Sequence, residues 1–125
     1  MDDSTIHSYR DLKVWQQAMQ LAGACYELTR RLPRDELFGM TSQIRRAATS
    51  VPANIAEGNG RENRGEYIHS LRIAQGSLKE LETHLILSQQ IGLTSATVLD
   101  PMLGQCEAVG KMLRALIRSL QRGKS

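Results

Sequence analysis

The stretch Ala53-Asn-Ile-Ala-Glu-Gly-Asn-Gly-Arg-Glu-Asn63 ends a helix-like run with two glycines one residue apart and then turns basic. As a phosphate-gripping loop it would belong to an α/β nucleotide-binding fold; as a corner between helices it belongs to an all-α one. The third glycine of a dinucleotide fingerprint would stand at position 63, which is Asn, and no strand-like run precedes Gly58. Nor does the stretch continue into the Gly-Lys-Ser/Thr of a P-loop. Its residues suit a corner: Gly58 at a left-handed C-cap, Gly60 easing the turn, and Asn63 with Glu66 as an N-cap and its reciprocal carboxylate. Arg61 and Arg64 lie beside the positive end of the helix that starts there, so the same corner can receive a phosphate.

On both sides of this corner, apolar or small residues recur in alternating steps of three and four. The series are Val14, Ala18, Leu21, Cys25, Leu28, Leu32; then Leu37, Thr41, Ile44, Ala48, Val51, Ile55; then Tyr67, Leu71, Ala74, Leu78, Leu81, Leu85; and finally Leu99, Met102, Cys106, Val109, Leu113, Leu116, Leu120. That spacing keeps one stripe of a helix facing a partner. Pro33 follows the first series, Gly92 closes the third, and Thr94 or Ser95 can cap the fourth. The pattern predicts an all-α protein, an antiparallel up-down-up-down four-helix bundle with helices of about 20 to 28 residues. Pro52 falls inside the second series, which stays in register from Val51 to Ile55, so a kink at Pro52 is expected and not a break. Residues 1–8 and 123–125 are expected to be flexible tails around a single domain over 9–122.

A chain of 125 residues suffices for one domain with a real core. With 41% hydrophobic and 23% charged residues its composition is that of a globular protein, and its net charge of +3 permits a polyanionic partner without requiring one. Cys25 and Cys106 are too far apart in sequence for a metal motif or a disulfide framework, which favours a reducing cytoplasm. The opening Met-Asp-Asp-Ser-Thr is acidic and has no apolar core of a signal peptide, and no run approaches a membrane span.

Enzymatic chemistry finds little to work with. Glu66 and His69 have the Glu-x-x-His spacing of di-iron bundles, but at 100° per residue from Tyr67 they lie at about 260° and about 200°, away from the seam. Glu80 and His84, at about 220° and about 260°, share that outer side and read as a surface i, i+4 pair. Both cysteines occupy seam positions, where a thiol behaves as a small hydrophobe. No nucleophile, base and orienting group assemble, so the sequence is read as a non-enzyme without metal or cofactor.

Two features remain. After Glu107 the chain has no acid but has Lys111, Arg114, Arg118, Arg122 and Lys124. The first four fall between about 100° and about 180° from Leu113, forming a cationic ridge opposite the seam. Few aromatic residues are available to stack on bases, so such a ridge would read backbone or shape. The other feature is the run Ala47-Ala-Thr-Ser-Val-Pro-Ala-Asn-Ile-Ala56, uncharged on every side of its helix. A helix uncharged all round is covered all round, which points to a subunit interface at Ala47, Ser50, Ala53 and Asn54. Symmetry would then repeat Arg45, Arg46, Arg61 and Arg64 about an axis and make a multivalent basic surface.

The runs Gly39–Arg61, "GMTSQIRRAATSVPANIAEGNGR", and Arg72–Leu85, "RIAQGSLKELETHL", resemble the family of four-helix-bundle proteins encoded by intervening sequences in bacterial 23S rRNA genes. The likeness covers residues from about 9 to 121. It implies an up-down bundle that assembles as a homopentameric ring and has no established activity. It also implies motif positions Gln43, Arg45, Arg46, Asn54, Glu57, Gly58 and Arg61, with Arg46 and Glu57 as interchain polar contacts. Met40 and the run Tyr67–Leu71 depart mildly from the family pattern. More distantly the chain is similar to accessory proteins of diversity-generating retroelements, which implies nucleic acid and a reverse transcriptase as partner types. The expectation is therefore a cytoplasmic homo-oligomer that binds RNA or other nucleic acid; the alternative is an adaptor or scaffold whose ridge docks an acidic protein.

Overall fold

Val14, Ala18, Leu21, Cys25 and Leu28 put a small or apolar side chain on one face of successive turns, and Lys13–Thr29 forms helix α1 with all five buried. The computed structural model describes residues 8–123; residues 1–7 and 124–125, which make up most of the expected tails, lie outside the described residues. Ser8 is no loose end. Its hydroxyl accepts from the Arg10 N–H and caps a short 3-10 turn at Tyr9–Asp11 that leads into α1.

Helix α2 spans Met40–Asn59, α3 Arg64–Gln90 and α4 Ala96–Gln121, and there are no strands among the described residues. The protein is a four-helix bundle. Helix α2 starts later than its series predicts. After Pro33 the chain makes a separate 3-10 turn at Arg34–Glu36, leaving Leu37 49% exposed and outside the helix. The Glu36 carboxylate then accepts from the Met40 N–H at 3.0 Å, satisfying one of the first-turn donors that Gly39 has no side chain to reach. In α4 the buried position after Leu113 is Ile117 and not Leu116, which is half-buried. A straight helix drifts about 20° per heptad, so over this length the two residues share the edge of the stripe.

The prolines do not end their helices. Helix α2 runs through Pro52, and α4 runs through Pro101 in its second turn. The α3 and α4 starts carry the expected N-caps: Asn63 Oδ1 accepts from the Glu66 N–H at 3.0 Å, and Ser95 Oγ from the Val98 N–H at 3.3 Å, but the reciprocal bond from the Asn63 N–H to the Glu66 carboxylate does not form. Gly92, with φ +85°, turns the chain after α3 in the left-handed conformation that favours glycine.

Gly58 does not serve as a left-handed cap. It lies within α2, is buried, and has no positive φ; the turn closes instead through the Gly60 N–H to the Ala56 and Glu57 carbonyls. Its reason is contact. A Cβ there would stand 2.9 Å from both Ser70 Cβ and Tyr67 Cδ1 and 3.2 Å from the Tyr67 carbonyl oxygen, so the missing side chain lets α2 press onto α3. Farther along, Ser50 Oγ and Ser77 Oγ share a 2.7 Å hydrogen bond. The order of these contacts makes α2 and α3 antiparallel. Leu78 beside Gly110 and Arg64 beside Gly123 do the same for α3 and α4. Helix α1 packs on both α2 and α4, closing the bundle around one core.

Gly58→Ala should therefore destabilise the fold by about 1–3 kcal/mol through overpacking. Gly76→Ala, at a site in α3 where a Cβ meets nothing within 4 Å, should stabilise it by up to about 1 kcal/mol. Denaturant melts of the two variants check the pair, and equal effects would contradict the close approach.

Candidate nucleic-acid interface

Alternating helical steps place Lys111, Arg114, Arg118 and Arg122 on the exposed side of α4, opposite Leu113 and Val109 in the core. Lys124 lies outside the described residues. Lys111 Nζ is 3.9 Å from Glu107 Oε2, an exposed pair that does little to neutralise it. Arg114 folds back toward the bundle: a Cβ on Gly110 would lie 3.6 Å from its Nη1, and it lines a groove between α3 and α4 with Lys79, Glu82 and Glu107. Arg118 and Arg122 have no ion pair among the described residues.

The corner joins this ridge. Arg64 Nη2 reaches to 3.5 Å from the Gly123 carbonyl oxygen, which puts the start of α3 against the end of α4 and Arg64 beside Arg122 in the chain path. Arg61, just past the end of α2, is held by Glu57 at 2.8 Å. Asn59 donates to the Tyr67 hydroxyl at 3.3 Å; burial raises the Tyr67 phenol and this bond partly offsets it.

Arg45 and Arg46 stand apart from that end, with about 21 Å of α2 between Arg45 and Asn59 at 1.5 Å per residue. Arg45 Nε donates to Thr29 Oγ1 at 2.8 Å, and its guanidinium carbon sits 4.5 Å from the centroid of the Tyr26 ring. It clamps α2 to α1. Arg46 is exposed, with Ser42 Oγ at 3.5 Å.

The expected interface residues on α2 also separate. Ala47 is 2% exposed within the single chain and faces the core, so it is not available to another subunit. Asn54 Nδ2 donates to the Ser50 carbonyl at 2.9 Å and to Ser50 Oγ at 3.1 Å, and Ser50 bonds Ser77, so this pair serves the α2–α3 contact. Glu57 pairs with Arg61. Ala53 remains exposed. With Thr49, Pro52 and Ala56 it lines a groove of about 480 Å³ whose other wall is Tyr9, Trp15, Met19 and Tyr26 of the N-terminal turn and α1. The uncharged run thus faces core, α3 and groove in turn. The groove was a residue-level signal overlooked in the sequence: Trp15, Met19, Ala22 and Tyr26 form a second stripe on α1 at steps of four, three and four.

Glu66 and His69 are both exposed, and no group of three or more potential metal ligands converges among the described residues. His84 is more enclosed than a surface pair implies: its Nε2 is buried with no hydrogen bond, and Glu80 Oε2 is 3.6 Å away. Cys25 and Cys106 are free and fully buried. Burial pushes both thiols up to about 12, helped by each other's proximity for Cys25 and by Glu82 for Cys106, with Lys79 opposing. Such thiols are poor nucleophiles near neutral pH.

A four-helix bundle with a row of exposed cations along the outer edge of α4 and at the adjoining corner is the class that these features define. The chain belongs to the 23S rRNA-intervening sequence protein family, whose sequence model matches residues 10–115. It is similar to the crystal structure of a protein with unknown function from the S23 ribosomal protein family of Bacteroides thetaiotaomicron. The two are 26% identical with a TM-score of 0.78, covering 83% of this chain and 97% of that one. No curated protein matches the chain. Among the described residues, no helix is long and apolar enough to cross a membrane.

The raised thiols make a signed prediction. Their contribution to stability is complete below the unfolded thiol pKa near 9 and is lost as pH rises toward about 12. Each pH unit in that window should cost up to roughly 1.4 kcal/mol per thiol. Urea melts at pH 8 and above pH 10, compared with Cys25→Ala/Cys106→Ala, should show a shallower alkaline loss in the double variant.

Proposed function

We propose that this protein is a non-catalytic homo-oligomer, pentameric as its family resemblance implies, that binds RNA or other nucleic acid through a repeated basic surface in the cytoplasm. The observation that carries this reading is the continuity of Arg64, Arg114, Arg118 and Arg122 from the α2–α3 corner along α4, with Arg118 and Arg122 facing no acid. Exposed cations at helical spacing repel one another, and a phosphate backbone relieves that repulsion while releasing its own counterions. Because Arg45 is engaged by Tyr26 and Thr29, the binding surface is assigned to the corner and α4, with Arg46 a separate and minor contributor. The N–H groups at the start of α3 add a place for one phosphate beside Arg61 and Arg64. A protein-binding adaptor whose ridge docks an acidic partner is the second reading. It is favoured by the exposed apolar Phe38 and the α1–α2 groove, neither of which nucleic-acid binding needs.

Reversing Arg114, Arg118 and Arg122 to Glu should leave the circular dichroism helicity unchanged. It should weaken binding to a mixed RNA pool by more than about tenfold and flatten the slope of log affinity against log salt by about 2 for single strands. Unchanged affinity would remove α4 as the site. Absence of RNA binding by the unaltered protein, at low salt as well as high, would favour the adaptor.

A further inference from the structure

Phe38 is 92% exposed, the greatest exposure of any large apolar side chain among the described residues. It is not carried on a slack loop. The Glu36, Leu37 and Gly39 N–H groups donate to the carbonyls of Pro33, Arg34 and Glu36 at 2.9–3.1 Å, and the Glu36 carboxylate bonds the first residue of α2. The ring is presented to solvent from a fixed turn, as a knob.

The same chain carries a matching hole. The α1–α2 groove is lined by apolar and aromatic side chains, with Thr49 its one polar member, and none of its lining residues is charged. A cation stands at each end: the Arg10 guanidinium carbon is 5.8 Å from the Tyr9 ring centroid, and that of Arg45 is 4.5 Å from the Tyr26 centroid. An apolar residue preceded by acid complements such a groove in shape and charge. Asp35-Glu36-Leu37-Phe38 has that composition, and Asp35 is exposed with no ion pair among the described residues. Phe38 cannot fill the groove of its own chain. It precedes Met40, whereas the groove begins at Thr49, about 14 Å farther along α2 at 1.5 Å per residue, with the Arg45–Tyr26 contact between them.

We propose that Phe38 of one chain seats in the α1–α2 groove of a second copy, with Asp35 set against a cation at its mouth. Knob and groove are different surfaces, so every copy offers one of each, and the contact is head-to-tail and closes as a ring where the rotation permits. This inference rests on the homo-oligomeric reading above and supplies its interface. It keeps only Ala53 of the α2 positions expected to face another subunit, and it leaves the cations of α4 free.

Light scattering of the full chain tests it at the highest soluble concentration, on the unaltered protein, Phe38→Ser, Ala53→Glu, and an equimolar mixture of the two variants. Phe38 makes no core contact in its own chain and Ala53 is exposed, so both variants should keep full helicity. The proposal expects an oligomer for the unaltered chain, a fall to the single-chain mass of 13.9 kDa for each variant, and a dimer for the mixture. The mixture stops at two because one intact knob meets one open groove. An oligomeric Phe38→Ser overturns the knob while leaving the homo-oligomeric reading in place. Monomeric variants that form no dimer when mixed overturn the head-to-tail pairing. An unaltered chain that is itself monomeric overturns the homo-oligomeric reading and the interface with it.

Discussion

At Gly58 the backbones of α2 and α3 approach until a single added carbon would collide at 2.9 Å, and the arrangement of the rest of the bundle follows from that contact. Tight apposition at one end fixes the register that brings Ser50 to Ser77 about two turns away. It thereby fixes which sides of α2 are consumed. One side enters the core through Ala47, Ile44, Val51 and Ile55, and another meets α3 through Ser50, which Asn54 holds in place. The remaining side, Thr49, Pro52, Ala53 and Ala56, leans toward α1 and leaves a groove open. A run of ten uncharged residues suits a helix that faces the core, α3 and an apolar groove in turn.

The charges are distributed by the same constraint. A helix pressed between core and neighbours has little room for solvated cations, and Arg45 survives there by stacking on Tyr26 and bonding Thr29. Helix α4 contacts α3 and α1 along one face only, so its outer side carries Lys111 to Arg122 into water. The α2–α3 turn returns Arg64 to the end of α4, where the Gly123 carbonyl receives it. Basic surface and apolar groove therefore fall on different parts of the molecule, and a single chain can present both without competition between them.

The helices were legible because burial imposes a period, and twenty-two of the seam positions named from spacing are buried. Asn63 and Ser95 were legible because a cap is a local bond between residues three apart. What spacing could not supply depended on long-range contact. Gly58 looks like a helix stop, yet its role is set by Tyr67 and Ser70 across the turn. Ala47 has the small, neutral character of an interface residue and of a core residue alike, and only the position of the other helices separates them. Leu37 follows the period of α2, but Pro33 and Gly39 set a local turn that overrides it. Arg45 and Arg46 are adjacent in sequence and differ entirely in engagement, because 100° of helical rotation turns one toward Tyr26 and the other to solvent.

The proposed division of labour sets an assembly surface on α1 and α2 and a polyanion surface on α4 and the α2–α3 corner. The most direct measurement is the solution mass of the unaltered protein by light scattering, alone and with a mixed RNA pool, at low and at high salt. The account predicts an oligomer of constant subunit number that gains RNA mass at low salt and loses it reversibly at high salt, since exposed cations are screened and buried apolar contacts are not. A mass indifferent to RNA at both salt concentrations would contradict the polyanion surface, and an assembly that dissolves as RNA binds would contradict the separation of the two.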